Sequence, residues 1–113
     1  MTIKEEIRGN IAILHIKGNM MGGPETMQIH EKIKSLLVDK IDKVVIDLSK
    51  VKWMNSSGLG ALMACMSTLK SAEGQLKISG ATGKIKNLFM ITKLMTIFET
   101  YETADRAVAS FEA

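Results

Sequence analysis

One stretch of the chain decides the fold: residues 43–63 read KVVIDLSKVKWMNSSGLGALM. Its first six residues form a short, largely β-branched run with charges at its edges, which is typical of a central strand buried on both faces. We predict a loop over residues 49–55. From residue 57 to about residue 72 the apolar residues recur at helical spacing, and Gly74 ends the pattern. The stretch therefore predicts a buried strand, a loop and a long helix.

The rest of the chain continues the alternation of strands and helices. Alternating apolar runs over residues 3–8 and 10–17 flank Gly9-Asn10, which favours a two-residue hairpin turn. The other predicted elements are a helix over 24–39, a strand over 75–79, a helix over 82–92, a strand over 97–101 and a helix over 104–111. The order ββαβαβαβα requires a mixed sheet. We therefore predict an α/β fold, with a mixed sheet of four to five strands and about four helices packed against it.

The helical spacing also assigns the side chains that face the core. In the long helix the core-facing side chains form one stripe, and a line of small residues lies beside that stripe. The predicted inward residues are Met27, Ile29 or His30, Ile33, Leu36 and Leu37 in the first helix, Leu59, Leu62, Met66 and Leu69 in the second, Ile85, Leu88, Phe89 and Ile91 in the third, and Ala107, Val108 and Phe111 in the last.

Length and composition predict one domain over residues 1–113. The chain is 46% hydrophobic with a single Pro, which is enough apolar material for one core. One Cys cannot form a disulfide within the chain, and one Cys with two His leaves too few ligands for a zinc site. Cys65, within an apolar run, is predicted to be a buried small hydrophobe. We expect no metal, no cofactor and a cytoplasmic location.

The charge pattern disfavours nucleic acid as a partner. The net charge is +3, the lysines are scattered, and the chain has only two Arg and five aromatic residues, on which phosphate clamps and base-stacking surfaces depend. Lysines 77, 84, 86 and 93 are predicted to form a solvated face, with a docking site as the alternative. His15 and His30 are predicted to be structural or exposed. No apolar run approaches the roughly 20 residues of a membrane span, and acids stand in residues 1–6, where a secretory signal is apolar. We expect neither a membrane partner nor export.

The start of the long helix breaks the usual sequence rules. Gly58 and Gly60 stand in its first turn, although a Gly within a helix costs about 1 kcal/mol relative to Ala. Asn55 or Ser56 would cap the first turn. Gly60 begins a line of small residues that runs through Ala64, Ser67 and Ser71, which invites close approach by another backbone. The alternative is a plain cap, with the glycines serving close packing inside the domain.

Three segments resemble the STAS domains of bacterial anti-sigma-factor antagonists: Val44–Ser49, Met54–Gly60 and Lys86–Phe89. The length and the order of elements match over essentially the whole chain. The family pattern at the helix entrance is Asp-Ser-Ser-Gly, and its first Ser is the phosphorylation site. The resemblance therefore implies phosphorylation of Ser56, with Ser57 as the alternative.

The resemblance also implies the partners. They are an anti-sigma factor that is itself a serine kinase, which the unphosphorylated antagonist sequesters, and a phosphatase that restores the antagonist. Phosphorylation at a helix N-terminus adds about −1.5 to −2 charges where the fold tolerates them, so partner binding changes while the fold survives. The predicted partner-binding residues are Met21, Asn55, Ser56, Ser57, Gly58, Gly60 and Ala64.

Two positions depart from the family pattern. Asn55 replaces the usual Asp, and Met21 stands where relatives commonly carry an acid. Both changes fall on the surface expected to meet the kinase. Met20, Met21 and Met54 are predicted to lie in loops near that surface, where flexible thioethers adapt to a partner.

Two other classes of function remain as alternatives. One is a ligand-sensing or scaffolding STAS domain that works without phosphorylation. The other is an enzyme, which comes third because Met54 stands where a hydrolase nucleophile elbow needs Gly. The Gly80–Lys84 segment also lacks the four-residue gap between glycines that a phosphate loop needs. We expect no catalytic residues.

Overall fold

The computed structural model describes residues 1–112 and forms one five-stranded sheet with four helices. The elements are β1 (Thr2–Arg8), β2 (Ile11–Met20), α1 (Gly23–Val38), β3 (Lys43–Met54), α2 (Ser56–Ser71), β4 (Gln75–Ser79), α3 (Gly83–Ile91), a 3₁₀ turn (Leu94–Thr96), β5 (Glu99–Tyr101) and α4 (Ala104–Phe111). Within this part of the chain, no helix has both the length and the apolar character to cross a membrane.

The sheet is mixed, as the element order predicts. Its strands lie in the order β1-β2-β3-β4-β5; β1 is antiparallel to β2, and every other neighbouring pair is parallel. Helices α1, α2 and α3 pack on one face, over strand residues such as Leu14 and Ile46. Helix α4 packs on the opposite face, over Ile11, Ile13 and Val45. The central strand β3 is therefore buried on both faces, which confirms the prediction made from its β-branched run.

Strands β2 and β3 both run further than their sequences predict. β3 continues to Met54, so the predicted loop over residues 49–55 is wrong, and β2 continues to Met20 instead of ending at residue 17. The two strands stay paired to their ends, but the register shifts twice, between His15 and Lys17 and between Gly18 and Asn19. Such irregularities break the two-residue alternation on which a strand prediction depends.

The longer strands contain two of the three methionines that were predicted to lie in loops. Met20 and Met54 are register partners at the ends of β2 and β3 and are fully buried. Of the three, only Met21 is exposed. The ends of the two strands therefore form part of the core and carry the starts of α1 and α2 side by side.

The core faces of the helices agree with the prediction except at a few positions. In α2, Leu59, Leu62 and Leu69 are buried, and so is Cys65, where burial raises the thiol pKa to about 12. Met27 and Ile91 are exposed and were assigned wrongly. In α1 the buried face is rotated by one residue and follows the 3-4-3 spacing of Thr26, Ile29, Ile33 and Leu36. Ile91 is the last residue of α3 and is 79% exposed.

Lys77 lies in surroundings that the sequence did not predict, whereas His30 agrees with its prediction. Lys77 is only 5% exposed, so placing it on a solvated face is wrong. Its Nζ donates to Ser110 Oγ at 2.6 Å and lies 4.2 Å from the centre of the Phe111 ring, which ties α4 to the sheet. His30 is structural, since its Nε2 lies 2.6 Å from Thr68 Oγ1 and links α1 to α2.

Candidate functional site

Asn55 is the residue that shapes the entrance of α2. It has extended backbone angles, and its Oδ1 accepts a hydrogen bond from the Gly58 amide at 2.9 Å. Its Nδ2 donates to the Met21 carbonyl oxygen, also at 2.9 Å. The sequence left the cap open between Asn55 and Ser56, and the structure assigns it to Asn55. A single side chain therefore caps α2 and holds the loop between β2 and α1 against it.

Gly58 has an internal role. It is buried, and a Cβ built on it would overlap the Met20 carbonyl oxygen at the end of β2. A side chain at this position would thus push α2 away from the sheet. Gly58 therefore serves close packing inside the domain, which is the alternative stated above. We infer that it supports the predicted partner surface and does not form part of it.

Gly60 differs from Gly58 in every respect that matters for packing. It is exposed, and a Cβ built on it would meet nothing within 4 Å. Ser56, Gly60 and Ala64 follow one another at four-residue spacing and are all exposed, so they lie along one outer face of α2. Within residues 1–112, no neighbouring atom requires a glycine at position 60.

The two serines at the entrance lie in different surroundings although both are exposed. Ser57 packs against the preceding loop, since a Cβ built on Gly22 would lie 2.5 Å from Ser57 Cβ. Ser56 is the first residue of the helix, outside that contact. Because the first amides of a helix have no intrahelical acceptor and Asn55 caps only the Gly58 amide, the amides of Ser56 and Ser57 remain available to an anion.

Exposed apolar side chains surround this entrance. Met21 is 50% exposed, Trp53 is 39% exposed and Met63, on α2, is 44% exposed. The structure thus brings the predicted residues Met21 and Asn55 into direct contact through the Nδ2 hydrogen bond. Trp53 was missed because residues 49–55 were predicted as a loop, although its position just before the cap was a signal that it would lie here.

A second polar cluster lies on the opposite face of the sheet, where α4 leaves the strands uncovered. His15 Nδ1 lies 2.8 Å from Asp47 Oδ2, and His15 Nε2 lies 2.9 Å from Glu6 Oε1. An ionised carboxylate only accepts hydrogen bonds, so contact with two of them requires both ring nitrogens to carry protons. No local pattern in the sequence indicates these two partners, because the three members of the cluster come from three different strands. Within residues 1–112, no three His, Cys, Asp or Glu side chains are arranged to hold a metal ion.

The ionisation of this cluster follows from its contacts. Burial lowers the pKa of His15, but the hydrogen bonds to Glu6 and Asp47 outweigh burial and raise it above the ordinary value of 6.5. The hydrogen bond from His15, helped by Arg8, lowers the pKa of Glu6 below 4.5. Below this raised pKa, His15 is an imidazolium that joins β1, β2 and β3.

We expect this cluster to make stability depend on pH in a defined direction. Because the folded-state pKa of His15 is raised, its contribution is complete below about pH 6.5 and is lost as the pH rises through the raised value. The difference in unfolding free energy between wild type and His15→Gln should therefore shrink as the pH rises above 6.5, as urea denaturation at a series of pH values would measure. A difference that stays constant from pH 6 to about pH 9 would contradict the imidazolium assignment.

Both the sequence and the fold of this chain are similar to those of known proteins. A model of the STAS domain family matches residues 2–107. BtrV of Bordetella bronchiseptica, named as a candidate anti-sigma factor antagonist, is 24% identical over 86 residues, which cover 73% of this chain and 74% of that protein. The crystal structure of a Thermotoga maritima protein, named in the same way, superposes with a TM-score of 0.86 at 19% identity over 98% of this chain and 95% of that one.

The likeness extends to a structure of a modified protein. The Bacillus cell fate determinant SpoIIAA in its phosphorylated form superposes with a TM-score of 0.75 at 16% identity, over 97% of this chain and 99% of that one. At such identities the structural likeness shows the fold, and the family match rests on the sequence. The family match covers nearly the whole chain, from the hairpin to α4, and so this chain belongs to the STAS domain family.

Proposed function

We propose that this chain acts as a single STAS domain and as an anti-sigma-factor antagonist in a bacterial cytoplasm. In this proposal the entrance of α2 binds an anti-sigma factor that is also a serine kinase. Phosphorylation of Ser56 by that kinase dissociates the complex between the two proteins. A phosphatase then removes the phosphate and restores binding. The observation that carries the proposal is the exposed Ser56 at the first position of α2, on the outer face shared with Gly60 and Ala64. The names of the relatives support the same function.

The local structure favours a modification at Ser56 that leaves the fold intact. Asn55, and not Ser56, caps the helix, so the Ser56 hydroxyl is not needed for capping. A phosphate adds about −1.5 to −2 charges next to the free amides and the positive end of the helix dipole. The first turn of α2 contains no acidic residue that would repel this charge. A partner packed on the same surface, in contrast, must accommodate the new charge and bulk.

The packing of Ser57 favours Ser56 as the acceptor. Ser57 lies against Gly22, whose φ of 86° is already in the left-handed region. A phosphate on Ser57 would crowd the loop that Asn55 holds in place. Modification of Ser57 would therefore disturb the site, whereas modification of Ser56 changes mainly its charge.

Asn55 gives a structural reason for one departure from the family pattern. An Asp at this position would still accept from the Gly58 amide, but it has no donor for the Met21 carbonyl oxygen. The amide therefore gains a contact to the loop where the family carboxylate would supply a charge beside the acceptor serine.

The experiment is phosphorylation by an anti-sigma kinase from the same organism, with ATP and peptide mass spectrometry. We expect one phosphate, located on Ser56 and absent from Ser56→Ala. Ser56→Ala should change the unfolding free energy by less than about 0.5 kcal/mol, because the substitution leaves the cap in place, and should still bind the kinase. Ser56→Asp should weaken binding about tenfold or more, since it leaves a charge unpaired in the interface.

Asn55→Asp is the matched control for the same experiment. It restores the family carboxylate, so faster phosphorylation than in wild type would show that the switch operates with Asn55 but more slowly. Absence of phosphate from both proteins, with the kinase active on another substrate, would contradict the switch. A non-phosphorylated scaffold would then be the better account.

A further inference from the structure

The ends of β2 and β3 next to the candidate site carry lysines and no acids. Residues 7–24 contain no Asp or Glu, and neither do residues 48–72. These two segments include the ends of both strands, the loop before α1 and the whole of α2. The only charged side chains at the two strand ends are Lys17, Lys50 and Lys52, all exposed.

Two of these lysines lie in an arrangement that is unfavourable without a counter-charge. Lys17 and Lys50 are direct register partners across β2 and β3. Like charges directly opposite each other on neighbouring strands destabilise the pair. Within residues 1–112, neither they nor Lys52 forms an ion pair with a carboxylate. Three carboxylates, those of Glu5, Glu6 and Asp47, line a pocket together with Lys17 and Lys50, but each has other partners. Asp47 is engaged by His15 and Ser49, Glu6 by His15 and Arg8, and Glu5 by Lys32.

The lysines line an open groove, and an aromatic residue directly follows its last lining residue in the chain. The groove has a volume of about 490 Å³ and runs along the two strand ends. Its lining residues are Lys17, Gly18, Asn19, Ser49, Lys50, Val51 and Lys52. Trp53 follows Lys52 and is the register partner of Asn19. Trp is among the residue types enriched in the energetic anchors of protein interfaces, and here it is 39% exposed and directly follows the groove residue Lys52.

We infer that this groove binds an acidic segment of a protein partner, whose carboxylates lie between Lys17, Lys50 and Lys52 while an apolar side chain packs on Trp53. The inference rests on the proposed function in placing a partner at the entrance of α2, and it adds the chemical character of that partner's surface. It agrees with the absence of acids at Met21 and Asn55, which would repel such a segment. The lysines would attract either carboxylates or the phosphates of a nucleic acid. The composition favours carboxylates, because the chain offers a single Trp for base stacking and only two Arg.

The test uses the fluorescence of Trp53, the only Trp in the chain. The probe is a peptide of ten glutamates, with a peptide of ten glutamines as the uncharged comparison. We expect the glutamate peptide alone to change the Trp53 emission, with an affinity that falls as the salt concentration rises. The triple variant Lys17→Gln, Lys50→Gln, Lys52→Gln should bind at least fivefold more weakly. It should unfold at no lower urea concentration than wild type, because the repulsion between Lys17 and Lys50 is removed.

The matched control removes the same charge elsewhere. Lys84, Lys86 and Lys93 are exposed in and after α3, away from the groove, and their triple Gln variant should lose less than twofold in affinity. Equal losses in the two triple variants would show attraction to net charge alone and overturn the inference. Tighter binding of a ten-nucleotide single-stranded DNA than of the glutamate peptide would overturn it as well. Neither result depends on an anti-sigma kinase, so failure here is distinguishable from failure of the Ser56 switch.

Discussion

Leu62→Ala is expected to lower the free energy of unfolding by about 2–5 kcal/mol. Leu62 is 0% exposed and lies in the middle of α2, in the buried stripe that also contains Leu59 and Leu69. The substitution removes its packing against the sheet and leaves a cavity that its neighbours fill only in part. Urea denaturation followed by circular dichroism measures the loss, and the midpoint should fall without a change of slope.

Met63→Ala is the control for this substitution. Met63 is the next residue along α2 but points to solvent, and it is 44% exposed. Its removal should cost less than about 0.5 kcal/mol. A loss below about 0.5 kcal/mol for Leu62→Ala, or equal losses for the two variants, would mean that the assigned core face of α2 is wrong.

Gly58→Ala and Gly60→Ala should change stability in opposite directions although the two glycines lie two residues apart in one helix turn. An added methyl group at Gly58 meets the Met20 carbonyl oxygen, which is backbone and cannot move aside. Overpacking of this kind typically costs about 1–3 kcal/mol, which exceeds the gain of up to about 1 kcal/mol from the higher helix propensity of Ala. At Gly60 the methyl group meets open space, so only the gain remains.

The two variants can be compared by urea denaturation under one set of conditions, and each is the control for the other. Because Gly58 sets the distance between α2 and β2, its substitution should also disturb the contact between Asn55 and Met21. Kinase binding should therefore weaken in Gly58→Ala together with the stability of the fold. In Gly60→Ala it should weaken without a loss of stability, because the added methyl group lies on the proposed partner surface. A stabilised Gly58→Ala would contradict the internal role of this glycine.

The order of the elements and most of the core were predictable from the sequence, because both depend on local spacing. The β-branched run in β3 and the 3-4-3 stripe of α2 are patterns within a single segment, and both predict the observed burial. The cap of α2 was predictable to within one residue for the same reason. Its hydrogen bond joins residues three apart, Asn55 and Gly58. The STAS resemblance rests on these same local motifs.

Only the tertiary structure decided the features that join segments distant in the chain. The register shifts between β2 and β3 set how far both strands run, and thus bury Met20 and Met54. The same pairing places Lys17 opposite Lys50 and His15 opposite Asp47. A one-residue slip in register moves every side chain of a strand to the other face. No local pattern determines that register, and so the sequence predicted the entrance of α2, whereas the paired strands determined what surrounds it.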